Sequence, residues 1–407
     1  MSSTVNKKRK LIFLWTYTNW GGAQMYMLTI IKQALERWDV VVAIPRTSKA
    51  DLLELYGQYD IPIEFLDHAF DAEVEESIAG KLRRQFRRIR SEIGIYRYLR
   101  KFDLKESIVH LEIGPWQSWV LLCLLSFRGA NVFTTLNLFR PEIPLWRRLV
   151  WRARFYVLCK IPGFHIAASN RDVKESLKEW LTPDFWETVP VAYSPLDVQQ
   201  IREARSSNID VINLRKKFGM SEDEFVVLVV ARFSDLKGRW VFLDAAKLVL
   251  AEEPKARFVW VMPDPISEDD LCRIEGYGLR DRFVPVLSRT VGTDRISILK
   301  FFRIGDVFAL PSFREGLPLA LIEAMAMGVP SISTNIFAVP EAITSEKTGL
   351  LIEAGDSAAL ARAILKLNSD PSLRQRLARD GSRFAIESFD GRIMASTYLE
   401  LYEKCFV

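Results

Sequence analysis

Several residue types and patterns are scarce in this 407-residue chain. Histidine occurs only at His68, His110 and His165, so imidazole-based acid–base chemistry has few candidates. The four cysteines, Cys123, Cys159, Cys272 and Cys405, show no Cys-x-x-Cys spacing. That argues for reduced thiols in a cytosolic setting and against a zinc site or disulfide framework. No Gly-x-Gly-x-x-Gly follows any predicted strand, which argues against a dinucleotide-dependent dehydrogenase. Long apolar runs are missing too. The stretch from Trp119 to Leu125 is too short to cross a bilayer as a helix. The basic start Lys7, Lys8, Arg9, Lys10 precedes only Leu11 to Trp15, less than a signal-peptide core needs. A soluble, cytoplasmic protein without a signal peptide is expected.

What is present suits large buried cores, since 49% of the residues are hydrophobic. The length predicts two domains. Short β-rich runs alternate with helical stretches, the pattern of parallel α/β units. The first series of strands is expected at Leu11–Trp15, Val40–Ile44, Pro62–Leu66, Ser107–Leu111, Asn131–Thr135 and His165–Ser169. A second is expected at Phe225–Arg232, Arg257–Met262, Phe283–Pro285, Val307–Pro311, Ser331–Thr334 and Leu350–Ile352. Two such series predict two Rossmann-like domains, residues 1–192 and 193–387. A linker is expected over Val189–Asp197, where Pro190 and Pro195 limit helix continuation, and a C-terminal helix over 388–407.

The net charge is only +5, but it is unevenly placed. Lys81 to Lys101 holds nine Lys or Arg residues and one acid, Glu92. Arg140 to Lys160 mixes Arg147, Arg148, Arg152 and Arg154 with Trp146, Leu149, Trp151 and Phe155. Basic residues interleaved with Trp and Leu suit an anionic membrane surface. A solvated helix face, or a patch for an anionic acceptor, is the competing reading. No recognised motif for nucleic acid accompanies the charge, so no such partner is expected.

The most informative segment is PSFREGLPLALIEAMAMGVP, residues 311–330. Glu315 lies in a Gly/Pro turn, and Glu323 lies in an otherwise apolar run. Pro318 fits the first turn of a helix, where its missing N–H is no loss. Free amides at that helix start, at the positive end of the dipole, attract phosphate. With Gly316, Leu317, Pro318 and Leu319 between two hydroxyl-accepting carboxylates, the segment suits a diphosphate, a ribose and a sugar. Either glutamate alone could instead be a turn residue or half of a structural ion pair.

Taken whole, the segment resembles the glutamate pair of the retaining glycosyltransferases of family four, which have the GT-B fold. Pro311, Ser312, Glu315, Gly316, Glu323, Ala324, Met325, Ala326, Gly328 and Pro330 match that family's pattern in order. The resemblance implies an α/β architecture of two Rossmann-like domains facing across a cleft. It also implies that the C-terminal helix crosses back to the first domain. Three other motifs fall at strand ends. Gly21 and Gly22, opening the first helix, resemble the family's glycine-rich loop facing the donor diphosphate. Arg232 and Lys237, in ARFSDLKG, resemble its Arg-(x)4-Lys-Gly pair on the leaving diphosphate. Phe337-Ala338-Val339-Pro340-Glu341 resembles its Gly-Gly-x-Pro-Glu turn with both glycines replaced.

The acceptor half departs further. His110 aligns with a His-x-His pattern whose second histidine is here Glu112, and Asn137 stands where a histidine usually lies beside the donor sugar. His110 and Asn137 are the expected acceptor or sugar contacts, His110 being equally suited to the core.

The resemblance implies retaining transfer of a sugar from a nucleotide diphosphate, UDP by default, to an acceptor hydroxyl. The acceptor would be a glycan, a lipid-linked or membrane-lipid compound, or a small molecule. Glu315, Arg232 and Lys237 would be catalytic, and Glu323 would accept from the ribose hydroxyls. No Asp-x-Asp occurs in the chain, so neither a metal nor another cofactor is expected. A non-catalytic nucleotide-sugar-binding scaffold, or a GT-B epimerase or phosphorylase, remains the alternative.

Overall fold

The structure is a computed structural model. It describes residues 8–16, 22–48, 50–70, 77–114, 116–193, 196–207, 210–292 and 294–406. The chain forms two compact units, one of Met1–Pro195 with Gly391–Val407 and one of Leu196–Asp390. Those segments close at Pro195 and Asp390, against the expected 192 and 387. Both passages of the chain are tied within the second unit, where the Leu196 amide donates to the Phe389 carbonyl at 2.7 Å.

The first unit is built on a six-stranded sheet. Its strands are β1 (Lys10–Leu14), β2 (Asp39–Pro45), β3 (Ile63–Leu66), β4 (Ser107–Leu111), β5 (Asn131–Leu136) and β6 (Phe164–Ala168). Their order is β3-β2-β1-β4-β5-β6, and every pair is parallel. Five helices named here are α1 (Gly22–Arg37), α2 (Ala50–Gly57), α3 (Ile78–Leu99), α4 (Trp119–Ser126) and α5 (Leu145–Leu158). The sheet divides the core in two. Ile12, Leu14, Val109 and Leu111 pack with α3, α4 and α5, while Leu11, Phe13, Val40 and Val42 pack with α1, α2 and the C-terminal helix. Alternate residues of one strand therefore feed opposite cores, as period-2 geometry requires. With both faces covered, near-continuous apolar strands are expected and found.

The second unit repeats the plan with β7 (Phe225–Val230), β8 (Ala256–Met262), β9 (Phe283–Leu287), β10 (Val307–Leu310), β11 (Ser331–Thr334) and β12 (Leu350–Ile352). These are ordered β12-β11-β10-β7-β8-β9, again all parallel. Every strand the sequence predicts is present, with ends displaced by at most two residues. In both sheets the order reverses beside the first strand, between β1 and β4 and between β7 and β10. Such a reversal opens a crevice at the carboxyl ends of the strands, where ligands collect in open α/β sheets.

Candidate active site

In the second unit, the segments leaving β7 and β10 hold the predicted cations and carboxylates. After β7 the chain runs through Arg232 and a short turn to Lys237 and Gly238. After β10 it runs from Pro311 to a helix over Leu319–Ala326, with Pro318 in the N-cap position. Several contacts bind these two segments together. The Phe313 amide donates to the Leu236 carbonyl at 2.9 Å. Gly238 has φ +71°, and a Cβ there would meet the Pro311 carbonyl oxygen at 1.9 Å. Only glycine satisfies both the left-handed backbone and the close approach. Outer supports hold each segment from behind. Trp260 Nε1 donates to the Ala231 carbonyl at 2.8 Å, and Thr334 Oγ1 donates to the Ser312 carbonyl at 2.7 Å.

On this frame Lys237 Nζ donates to Glu315 Oε1 at 2.6 Å. Ser312 Oγ donates to the same oxygen at 2.7 Å. Glu315 is only 7% exposed, and those two donors stand in for the water its carboxylate has lost. Arg232 is exposed beside the end of β7. The residues expected around the donor, Gly316, Leu317, Pro318 and Leu319, form the turn into the helix. The first amides of that helix have no intrahelical acceptor, which is the arrangement that attracts anions. Glu323 lies one and a half turns further on, 6% exposed and ion-paired with Arg295. The structure thus brings Lys237 and Glu315 into contact, and it engages Glu323 with an arginine the sequence reading did not single out. Arg295 begins a helix capped by Asp294, whose carboxylate accepts from the Ser297 amide at 2.8 Å. An Asp cap followed by Arg was a legible signal for that helix start, though not for its partner.

The glycine-substituted turn keeps an unusual backbone. Phe337 occupies the position of the family's first glycine and still adopts φ +45°. A bulky residue there carries strain that glycine would not.

In the first unit, Gly21 lies outside the described residues, and Gly22 opens α1. Asn137 follows β5, half-buried, with its carbonyl accepting from Asn170 Nδ2 at 3.4 Å. The expectation for His110 as a sugar contact is corrected. Its ring is wholly buried, with Nδ1 paired to the Tyr402 hydroxyl and Nε2 2.9 Å from Thr135 Oγ1. Phe13 stacks on it at 5.5 Å, so no edge is left for a ligand. Burial lowers its pKa to about 3, keeping the ring neutral. The hydroxyl network continues through Thr135, Tyr398 and Tyr26 to the Ala192 carbonyl. His110 is therefore a core residue that helps dock the C-terminal helix, Gly391–Lys404.

Its neighbour Glu112, to which the sequence reading gave no role, sits just past β4 at the first unit's reversal point. The half-buried carboxyl is raised by desolvation to about 8, so it is largely protonated near neutral pH. A neutral carboxyl at such a place can donate a hydrogen bond. Among the described residues, no cluster of three or more His, Cys, Asp or Glu side chains is arranged to hold a metal ion.

The family model of glycosyl transferases group 1 matches residues 210–384. Residues 210–384 are thus similar to the glycosyl transferases of group 1. The D-inositol 3-phosphate glycosyltransferase of Streptomyces avermitilis is 31% identical over 199 residues, 46% of this chain and 41% of that protein. The lipopolysaccharide core biosynthesis glycosyltransferase LpsD of Rhizobium meliloti is 30% identical over 183 residues, 45% of this chain and 50% of that protein. The chain thus spans about half the length of the curated relatives it matches. Among solved structures, Anabaena HepE in complex with UDP and glucose superposes with a TM-score of 0.77. The match has 18% identity and covers 97% of this chain and 100% of that one. Sucrose-phosphate synthase from Thermosynechococcus elongatus gives a TM-score of 0.67 at 19% identity, covering 98% of this chain and 99% of that one. The fold of this chain is GT-B, a pair of Rossmann-like units.

Proposed function

We propose that this group 1 protein transfers a sugar from a nucleoside diphosphate sugar to an acceptor hydroxyl, with retention at the anomeric carbon and without a metal. The observation that carries the reading is the Lys237–Glu315 contact at the reversal point of the second sheet, beside a helix start. Lys237, Arg232 and the amides of Leu317 and Leu319 neutralise the departing diphosphate. Glu315, held by Lys237 and Ser312, orients the transferred sugar. The bond from the anomeric carbon to the diphosphate breaks as the bond to the acceptor oxygen forms on the same face. The acceptor proton passes to the departing phosphate oxygen. The protein's contribution is then position and charge stabilisation. Glu323 and Arg295 recognise the nucleoside. The HepE complexes with UDP and with UDP-glucose support UDP as the carrier.

The same reading places the protein at an anionic membrane surface, as a cytoplasmic peripheral protein acting in glycan, lipopolysaccharide or glycolipid synthesis. No helix among the described residues is long and apolar enough to cross a membrane. Helix α5 exposes Leu145, Trp146 and Leu149 among its arginines, a composition suited to lying on lipid.

The decisive experiment is a thermal-shift screen of the purified protein against a panel of nucleotide sugars, followed by NMR of the product's anomeric configuration. A donor that raises the melting temperature and yields a retained glycoside is expected. A protein that binds no nucleotide sugar, or yields an inverted product, refutes the proposal.

A further inference from the structure

Glu323 is the one charged residue of the helix Leu319–Ala326, set among Leu321, Ile322, Ala324 and Met325, all of them buried. It is the fifth residue of that helix, about 6 Å along the axis from its start. Side chains on a helix lean toward its N-terminus, so this carboxylate tilts back toward the end that leaves β10. That end lies at the carboxyl edge of the second sheet, where ligands of such sheets collect. Arg295 pairs through Nη2 with Glu323 Oε1. The guanidinium is the outer member of the pair, its side chain 21% exposed against 8% for Glu323.

Both partners stand on backbone that cannot yield. Arg295 opens the helix Arg295–Phe301, whose Leu299 and Phe301 are buried in the core. Asp294 caps that helix, accepting from the Ser297 amide at 2.8 Å and from Ser297 Oγ at 2.5 Å. Gly292 lies so close that a Cβ there would meet Ser297 Cβ at 2.4 Å. On the other side, the Ala326 carbonyl accepts from Arg205 Nη1 and from Ser382 Oγ, each at 3.1 Å, and so pins the helix of Glu323. A cation in the first turn of a helix stands against the dipole. Arg295 occupies that unfavourable place, and Glu323 is what it meets there.

We propose that Arg295 is a positioning residue that holds Glu323 as the acceptor of a ribose hydroxyl, so that the site selects a carrier with an intact ribose over a deoxyribose. A carboxylate engaged through one oxygen keeps the other to accept from a hydroxyl. Hydrogen bonds to a charged acceptor are stronger than neutral ones. Without the guanidinium, a carboxyl buried this deeply takes up a proton, and its contact with the ribose falls to the neutral kind. The inference rests on the nucleotide-sugar reading above and adds to it the residue that controls recognition of the carrier's pentose.

The test is calorimetric binding of UDP, 2′-deoxy-UDP and 3′-deoxy-UDP to the full-length protein, with the same three forms of GDP, ADP and CDP where UDP does not bind. The parent should prefer the full ribose to the weaker deoxy analogue by about thirtyfold, the size of a hydrogen bond to a charged group. Arg295→Gln should cut that ratio to about threefold, the size of a neutral bond, and Arg295→Lys should restore most of it. Arg295→Met, which keeps the aliphatic stem, serves where the glutamine variant does not fold. Glu323→Gln should give the same low ratio, and adding Arg295→Gln to it should change the ratio no further. Arg215→Gln breaks a pair with Asp306, 2.9 Å apart at the opposite edge of the same sheet; it should lower the urea midpoint and keep the parent's ratio. A ratio left at the parent's value by the Arg295 variants, or lowered as far by Arg215→Gln, overturns the inference with nucleotide binding intact. So does a parent that binds the ribose and deoxyribose forms alike. A parent that binds no nucleoside diphosphate at all overturns the transferase reading, and this inference with it.

Discussion

Replacing Gly238 by alanine tests whether the two segments of the candidate site are held as one frame. The added Cβ would lie 1.9 Å from the Pro311 carbonyl oxygen and 2.8 Å from its carbonyl carbon. Pro311 cannot retreat cheaply, because it directly follows β10, whose Phe308, Ala309 and Leu310 are paired to β11. The glycine side must therefore move, against a φ of +71° that alanine tolerates poorly. The left-handed backbone costs roughly 1–2 kcal/mol. Overpacking adds ~1–3 kcal/mol, and the Phe313–Leu236 hydrogen bond, if lost, ~1 kcal/mol. Stiffening of the unfolded chain by alanine returns ~0.4–1 kcal/mol. A net loss of about 2–6 kcal/mol is expected, read as a lower urea midpoint by tryptophan fluorescence. Trp260 reports directly, since its indole N–H is bonded to Ala231 at the base of the loop. Displacing Lys237 from Glu315 should also lower turnover by more than tenfold. A variant within ~0.5 kcal/mol of the parent, with unchanged product formation, would refute the idea of a rigid shared frame.

Lys237→Ala and Arg232→Ala should each reduce turnover roughly ten- to a hundredfold, from losing one charged contact to the diphosphate, as followed by release of the nucleotide. Lys237→Ala should also destabilise the second unit, because it leaves the 7%-exposed Glu315 carboxylate with Ser312 but without its ammonium partner. For Glu112, the folded pKa near 8 lies above the ordinary 4.5, so between those values the folded state holds the extra proton. Stability from this group is fully present below pH 4.5 and is lost as pH rises toward 8, at no more than roughly 1.4 kcal/mol per pH unit. Glu112→Gln should therefore gain on the parent across that window in urea titrations; parallel curves would contradict a carboxyl raised to about 8. Tyr402→Phe removes the partner of His110 Nδ1 and should cost ~1–3 kcal/mol, with no effect on donor affinity measured by calorimetry.

The fold was legible because parallel sheets write themselves as short apolar runs at regular intervals. All twelve strands followed from that rhythm. The second unit's site was legible for a related reason. Lys237, Gly238, Glu315 and Pro318 each stand in a local pattern, a strand end or a helix start, that fixes where the side chain goes. Pairings between distant segments left no such trace. Nothing in the sequence near Glu323 announces Arg295, and nothing around His110 announces Tyr402, 292 positions away. The misreading of His110 had that cause, since a strand histidine looks alike whether its partner is a ligand or a tyrosine from the far end of the chain. Phe337 was read as a lost glycine, and the structure keeps the glycine-like backbone regardless.

The hydroxyls that satisfy His110 and Thr135 are synthesised long after the sheet they support, on Tyr402 and Tyr398. A ribosome working at ~5–20 residues per second needs roughly 10–40 s to pass from residue 195 to residue 391. For that time the nascent first unit must keep Phe13, Trp38 and Phe133 without their covering helix, in reach of chaperones and of neighbouring chains. Truncation that removes Tyr398 and Tyr402 should thus behave as a folding defect of the first unit.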